Sequence, residues 1–151
     1  MKFSFKMQGL KELDAALSEF TVMTGRNVLR RAGTQAMEPV AAEMKAKAPK
    51  AHGDLKEAID TGTKRGKGVK REFRDPHVVE VYAGPAVIDG GVPPQAFQQE
   101  FGNENHGPQA YVRPGWDTKR SGVMPDLKES LGTQLDKASK RAARRALKAK
   151  G

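Results

Sequence analysis

Apolar residues recur every three or four positions in a long segment of the first third of the chain, which is the spacing of one face of an α-helix. Thr24 is predicted to cap this helix, and Ala48-Pro49 ends it. Pro39 lies inside the pattern and is expected to kink the helix or to divide it. The stripe is rich in alanine, so we expect close packing on a sheet or another helix. It consists of Val28, Leu29, Ala32, Ala36, Val40, Ala41 and Met44.

A second helical pattern lies near the end of the sequence, where apolar residues follow one another mostly at intervals of four. Pro125 and Asp126 are predicted to form its first turn, because proline and acidic residues favour helix N-termini. The leucine-rich half should pack on the body of the protein, whereas the Ala/Lys/Arg half has too little apolar surface to dock firmly. The stripe consists of Leu127, Leu131, Leu135, Ala138, Ala142 and Ala146.

Shorter segments have the alternation or the β-branched content of strands. Residues 77–84 form the strongest strand prediction, and residues 3–7 a shorter one that precedes an amphipathic helix over residues 10–20. Residues 53–59 are assigned to a strand, possibly after a helical turn, and residues 96–98 to a strand or a turn of helix. Together the elements predict an α+β fold. We expect a compact domain over residues 1–122 and a C-terminal helix with a basic tail over residues 123–151.

Composition adds one strong asymmetry to this picture. The chain of 151 residues fits one domain and has a net charge of +9. Residues 137–150 contain seven basic and no acidic residues, so the remaining 20 basic and 18 acidic residues leave the rest of the chain at only +2. We weigh two interpretations of this tail equally: a solvated helix end, or a contact for nucleic acid or an acidic protein surface. Its candidate contact residues include Arg141, Arg144 and Arg145.

A second basic segment is predicted to be a long mobile hairpin loop, because it is polar and punctuated by glycine. It begins like a phosphate-binding loop at Gly62, but its glycine spacing differs and no Ser or Thr follows the lysine. We therefore expect a solvated loop that can face DNA phosphates without reading sequence. Its candidate contact residues are Lys64, Arg65, Lys67, Lys70 and Arg71, with Arg74 at its end.

Residues with catalytic or metal-binding chemistry are scattered. His52, His77 and His106 lack the spacing of a metal site, and no serine lies in a nucleophile-elbow context. We therefore expect no enzymatic activity, no metal and no cofactor. The absence of cysteine, of an apolar run of membrane-spanning length and of a signal-peptide core predicts a cytoplasmic protein without a membrane partner.

The segment over residues 98–117 gathers aromatic side chains around a loop that contains Gly and Pro. Glu100 and Arg113 flank the loop, where a structural ion pair or a subunit contact is favoured over catalysis. Phe101, Tyr111 and Trp116 are candidates for the core or for a subunit or partner interface, and for Trp116 the core is favoured.

Short motifs follow one another in a definite order over roughly residues 1–117. They are residues 9–13, 15–17, 29–32, 39–41, 48–49, 53–55, 81–84, 100–102 and 110–114. In this order the motifs resemble a family of small proteins from long-tailed bacteriophages, the tail-completion or neck proteins found where the head meets the tail. The chain differs from the family at Asn103, where Thr is common, and at Gly115-Trp116, where Ala is usual. The basic tail is outside the resemblance.

The resemblance implies a structural virion protein, made in the host cytoplasm, that is not an enzyme. It implies a curved antiparallel sheet packed by a long Ala-rich helix. It also implies a ring, expected to be a hexamer, that joins the head connector to the tail tube. The implied partners are other copies of the chain, neighbouring neck, head-closure and tail-tube proteins, and packaged DNA through non-specific charge. Two alternatives remain open: a tail terminator that caps the tube, and a small basic DNA-binding protein.

Overall fold

The computed structural model describes residues 20–49, 54–63, 77–85 and 94–149. This part of the chain has the α+β architecture expected from the sequence: it is mostly helical, with a small antiparallel sheet and a long C-terminal helix. The elements in chain order are α1 (Val22–Lys47), α2 (Asp54–Ala58), β1 (Ile59–Gly62), β2 (Tyr82–Pro85), α3 (Pro94–Phe101) and α4 (Val112–Ala149). The predicted strand over residues 3–7, most of the helix over residues 10–20 and the basic loop from residue 64 lie outside the described residues.

Helix α1 is a single helix of 26 residues that runs through Pro39, so of the two alternatives at this proline, a kink or a division, the helix is not divided. Pro39 is exposed, which places the ring and the unpaired carbonyl of the preceding turn where water can reach them. The helix also begins earlier than predicted. Its N-cap is Thr21, whose hydroxyl accepts a hydrogen bond of 3.4 Å from the backbone N–H of Thr24, the residue predicted for this role.

The predicted apolar stripe of α1 faces the interior of the protein. Val28, Ala32, Ala36, Val40 and Met44 are all buried and follow one another at intervals of four residues. The stripe divides into two hydrophobic clusters. One joins Val28 and Ala32 to Leu131 of α4, and the other joins the C-terminal half of α1 to α2, β1, α3 and the start of α4. Two α1 side chains in these clusters, Ala32 and Ala41, are small, which allows the neighbouring backbones to come close at these positions.

Helices α1 and α4 pack antiparallel, since the start of α4 meets the end of α1 while Leu131 meets Val28. The helices lie in close contact at Gly115, where a Cβ atom would lie 2.6 Å from Met44 Cγ and 3.0 Å from the Met44 backbone nitrogen. Glycine is therefore needed here for space rather than for an unusual backbone angle. Lys119 of α4 also reaches Glu43 of α1, with 3.9 Å between Nζ and Oε2.

Strands β1 and β2 pair antiparallel, with Ile59 opposite Pro85 and Gly62 opposite Tyr82. Ile59 is fully buried and anchors this two-stranded sheet of the described residues in the cluster with Tyr111. The predicted strand over residues 77–84 is shorter than expected. Within the described residues the strand runs from Tyr82 to Pro85, and its four residues pair with the four residues of β1. The alternatives stated for residues 53–59 and 96–98 are resolved as a helical turn before β1 and as helix α3.

Helix α4 begins at Val112 and continues for 38 residues, so the predicted start at Pro125 is wrong. Pro125 lies on an exposed position inside the helix. The division of the chain at residue 122 stays a prediction, and α4 runs across it.

The close contact at Gly115 can be tested by replacing this glycine with valine and comparing the same change at Gly132. We expect Gly115→Val to lower the free energy of unfolding by about 2–3 kcal/mol, because the new side chain overlaps Met44. Gly132→Val on the same helix is the control, since a Cβ at Gly132 meets nothing within 4 Å. Urea unfolding monitored by circular dichroism measures both variants. Equal stability of the two variants would contradict the close packing of α1 on α4.

Candidate subunit interface

A buried carboxylate holds the first turn of helix α4. Glu100, the penultimate residue of α3, is only 8% exposed. Its Oε2 accepts hydrogen bonds from the backbone N–H groups of Tyr111 at 2.8 Å and Val112 at 2.9 Å, and its Oε1 accepts one from Arg113 at 3.2 Å. One side chain therefore ties two helices together across a loop.

This arrangement accounts for every backbone donor at the start of α4. A helix leaves its first N–H groups without intrahelical acceptors. Here Tyr111, Val112 and Arg113 donate to Glu100, Pro114 has no N–H, and Gly115 makes the first intrahelical bond, to the Tyr111 carbonyl at 3.1 Å. The negative charge also lies at the positive end of the helix dipole, where a carboxylate is stabilised. Both effects offset the desolvation of the buried charge.

Tyr111 is also buried where α3 and the start of α4 meet. We call this junction, with the loop that joins the two helices, the corner. Tyr111 is fully buried, and its hydroxyl donates a hydrogen bond of 3.4 Å to the carbonyl of Ala96 in α3. Burial, together with the nearby negative charge of Glu100, raises the pKa of Tyr111 to about 12. The phenol is therefore protonated at neutral pH and remains a donor to α3. Tyr111 was a candidate for a subunit contact, and in the protomer its side chain lies in the interior.

The loop between α3 and α4 is fixed by its own hydrogen bonds. Asn103 Oδ1 accepts from the backbone N–H groups of Asn105 at 2.8 Å and His106 at 3.0 Å, and its own N–H donates to the His106 carbonyl at 3.0 Å. Gly102 has a φ of +79°, a conformation that favours glycine. Gln109 donates to the Gln99 carbonyl at 2.7 Å, which returns the chain to α3.

Large apolar side chains are exposed at the same corner, on α3 and near the start of α4. Phe97 and Phe101 are one helical turn apart on α3 and are 64% and 59% exposed, and Trp116 on α4 is 40% exposed. The guanidinium of Arg113 lies over the Phe101 ring, 5.2 Å from its centroid. We call Phe97, Phe101, Arg113 and Trp116 the aromatic surface. Aromatic residues and arginine are enriched in protein–protein interfaces.

The structure bears on two sequence-based interpretations here. Of the two alternatives for Glu100 and Arg113, an ion pair or a subunit contact, the ion pair is not formed, because both Glu100 oxygens accept from backbone donors while the Arg113 side chain lies over Phe101. Trp116 is not a core residue of the protomer. Gly115 faces α1, and the next helical residue is rotated by about 100°, which turns Trp116 toward the surface.

Phe97 was not among the residues selected from the sequence. Phe97 lies four residues before Phe101, and this spacing places two side chains on one face only if the segment is a helix. The sequence leaves residues 96–98 as either a strand or a turn of helix. The candidate tail residues Arg141, Arg144 and Arg145 lie exposed on α4. The candidates between residues 64 and 71 lie outside the described residues.

The described residues contain no group of three or more His, Asp or Glu side chains placed to hold a metal ion. None of their helices is long and apolar enough to cross a membrane.

Comparison with known proteins adds no relative to this description. No protein-family model matches the chain, and no curated protein or solved structure matches it significantly.

The three hydrogen bonds to Glu100 predict a large effect of removing its charge. We expect Glu100→Gln to lower the free energy of unfolding by about 2–4 kcal/mol, because an amide places its NH2 group against donors in a buried site. Glu104→Gln, on the exposed loop, is the matched control and should change stability by less than about 0.5 kcal/mol. Hydrogen exchange should also accelerate at Tyr111, Val112 and Arg113. Protection that is equal in the two variants would contradict the cap.

The raised pKa of Tyr111 predicts a loss of stability in alkali. The unfolded phenol ionises near pH 10 and the folded one near 12, so its contribution is complete below pH 10 and is lost as the pH rises to 12. The loss is on the order of 2–3 kcal/mol. The difference between wild type and Tyr111→Phe in absorbance at alkaline pH isolates this phenol from Tyr82. A transition of Tyr111 near pH 10 in the folded protein would contradict its burial.

Proposed function

We propose that the protein is a structural component of the virion of a long-tailed bacteriophage and forms a ring that joins the head connector to the tail tube. The aromatic surface is the observation that carries this proposal. Three large side chains between 40% and 64% exposed lie beside a corner that is itself rigidly hydrogen-bonded. Exposure of these apolar side chains to water does not stabilise a monomer, whereas a subunit can bury them against its neighbour.

The construction of the corner supports this role. Two motifs that carry the family resemblance, residues 100–102 and 110–114, are joined by the hydrogen bonds of Glu100 to the start of α4. The same residues alternate between inside and outside: Glu100 and Tyr111 are buried, while Phe101 and Arg113 face outward. The motif thus builds a fixed platform and places side chains typical of interfaces on it. Preorganisation of this kind reduces the entropy lost on association.

The proposed assembly is a ring rather than a two-fold dimer. In a ring, one surface of each subunit contacts a different surface of the next, and rotation closes the series. The described chain has a small sheet and a 38-residue helix α4, and its buried apolar residues form two separate clusters. Neighbouring subunits in a ring can bury further apolar surface. The resemblance favours a hexamer.

The aromatic surface predicts how assembly can be abolished. We expect wild-type protein to give a discrete ring-sized mass by light scattering, alone or after addition of partner neck proteins. Phe97→Ser/Phe101→Ser should remain folded and monomeric, because it removes the apolar contact. Val22→Ser/Met23→Ser is the matched control, since these two apolar residues are also exposed, at 48% and 76%, but lie at the start of α1. Assembly of the Phe variant to the same mass as the control would overturn the interface.

Mixing experiments separate head–tail joining from capping of the tube. Purified heads and purified tails of the phage that encodes the protein are incubated with it, and bound protein is measured by sedimentation. Joining predicts binding to heads as well as tails and an increase in infectious particles when all three are combined. Binding to tails alone would favour a tail terminator, and binding to neither would overturn the virion role.

A further inference from the structure

The basic residues at the end of α4 form one continuous stripe. Lys137 is followed by basic residues at +3, +4, +7, +8 and +11, which is the spacing of a single helical face. All six side chains are exposed. They span about 16 Å along the helix at ~1.5 Å per residue. We call this set the basic stripe, and it consists of Lys137, Lys140, Arg141, Arg144, Arg145 and Lys148.

The basic stripe begins at the point where α4 reaches the N-terminal end of α1. Gly115 lies against Met44, and the two helices run antiparallel. Val22, the first residue of α1, lies as many residues before Met44 as Lys137 lies after Gly115. The antiparallel packing therefore places Val22 opposite Lys137. Beyond that point only Ala138 belongs to a hydrophobic cluster of the described residues. The stripe is thus carried by a helical extension past the α1–α4 pair.

Charge is balanced along the packed part of α4 and unbalanced only on this extension. Residues 112–136 contain four basic and four acidic residues, whereas residues 137–149 contain six basic and none acidic. Within the described chain, the ion pairs lie elsewhere, as between Arg120 and Asp117, and none involves the stripe. Like charges at +3 and +4 destabilise a helix by a few tenths of a kcal/mol per pair, although the C-terminal position offsets part of this. Helix stability therefore does not explain the pattern.

We propose that the basic stripe binds the phosphate backbone of double-stranded DNA. Phosphate contacts require only positive charge at the surface, and duplex DNA presents one negative charge per ~1.7 Å of its axis. Protein–protein contacts usually have an apolar centre, whereas the apolar residues between Lys137 and Lys148 are alanines and a single leucine, with no aromatic residue. The absence of aromatic residues also disfavours single strands, whose binding uses base stacking. The proposed contact reads no sequence and does not depend on ring formation.

The binding should be weak for one protomer and strongly dependent on salt. Non-specific sites of this kind have a Kd of about 1–100 μM at physiological salt. If four or five of the six charges neutralise phosphates, the slope of log K against log salt is about −4. An assembly that presents several stripes to one duplex would bind more tightly through effective concentration.

The test measures binding of a fluorescent 20-base-pair duplex of arbitrary sequence by anisotropy between about 50 and 200 mM salt. The stripe variant is Arg141→Gln/Arg144→Gln/Arg145→Gln, which keeps good helix formers. The control variant, Lys45→Gln/Arg120→Gln/Lys128→Gln, removes the same charge from exposed positions away from the stripe. Circular dichroism verifies that both variants keep their helix content.

We expect the stripe variant to lose at least ~30-fold in affinity at 50 mM salt and to flatten the salt slope by about 2–3. The control variant should lose less than about 3-fold. Phe97→Ser/Phe101→Ser should retain the affinity of a single protomer, which separates this proposal from ring formation. Equal losses in the stripe and control variants would overturn the proposal, as would the absence of duplex binding by wild type at 50 mM salt. Tighter binding of poly-glutamate than of the duplex would overturn it in favour of an acidic protein surface.

Discussion

The interaction on which the functional part of the molecule depends is the acceptance of three backbone hydrogen bonds by Glu100. This carboxylate is buried, yet it lies at the N-terminus of α4, where the donors of Tyr111, Val112 and Arg113 have no acceptor of their own. The requirement is mutual, since the helix start needs an acceptor and the buried charge needs donors. This contact fixes the start of α4 against α3, and the start of α4 carries Arg113 and Trp116 of the aromatic surface.

The second constraint is the close antiparallel packing of α1 and α4. Small residues on α1 and Gly115 on α4 allow the helices to approach, and two hydrophobic clusters fill the space along them. The cap at Glu100 fixes one end of α4 against this frame. The basic stripe extends from the other end, so the aromatic surface and the proposed DNA contact lie at opposite ends of one helix. A subunit of this form can contact a neighbour through one end and an anionic polymer through the other.

The sequence predicted the parts of this structure that depend on residues near one another in the chain. The buried stripe from Val28 to Met44 follows directly from spacing on a helix. The start of α4 was misplaced because the local signal at Pro125 resembles a first turn, whereas the true cap comes from Glu100, more than ten residues away. Such a contact has no local signature. Glu100 and Arg113 do lie together, but through the Arg113 backbone N–H rather than its guanidinium, and the sequence does not show which of these groups is buried.

The exposure of Trp116 was mispredicted for a related reason. Large aromatic residues are usually buried to a high degree, and the sequence contains no sign that α4 presents Gly115 rather than Trp116 to α1. The same segment is also a candidate interface from its sequence. In the structure the exposed side chains of the segment, Phe101 and Trp116, are the ones available for contact, while Tyr111 supports them from within.

Fluorescence of Trp116 tests the central claim most directly, because it is the only tryptophan in the chain and belongs to the aromatic surface. Emission and acrylamide quenching are followed while the protein is concentrated or mixed with partner neck proteins, with the mass recorded in parallel. The account predicts a solvent-exposed signal in the monomer that shifts to shorter wavelength and becomes protected as the ring forms. A ring that forms while Trp116 remains as accessible to quencher as in the monomer would contradict it.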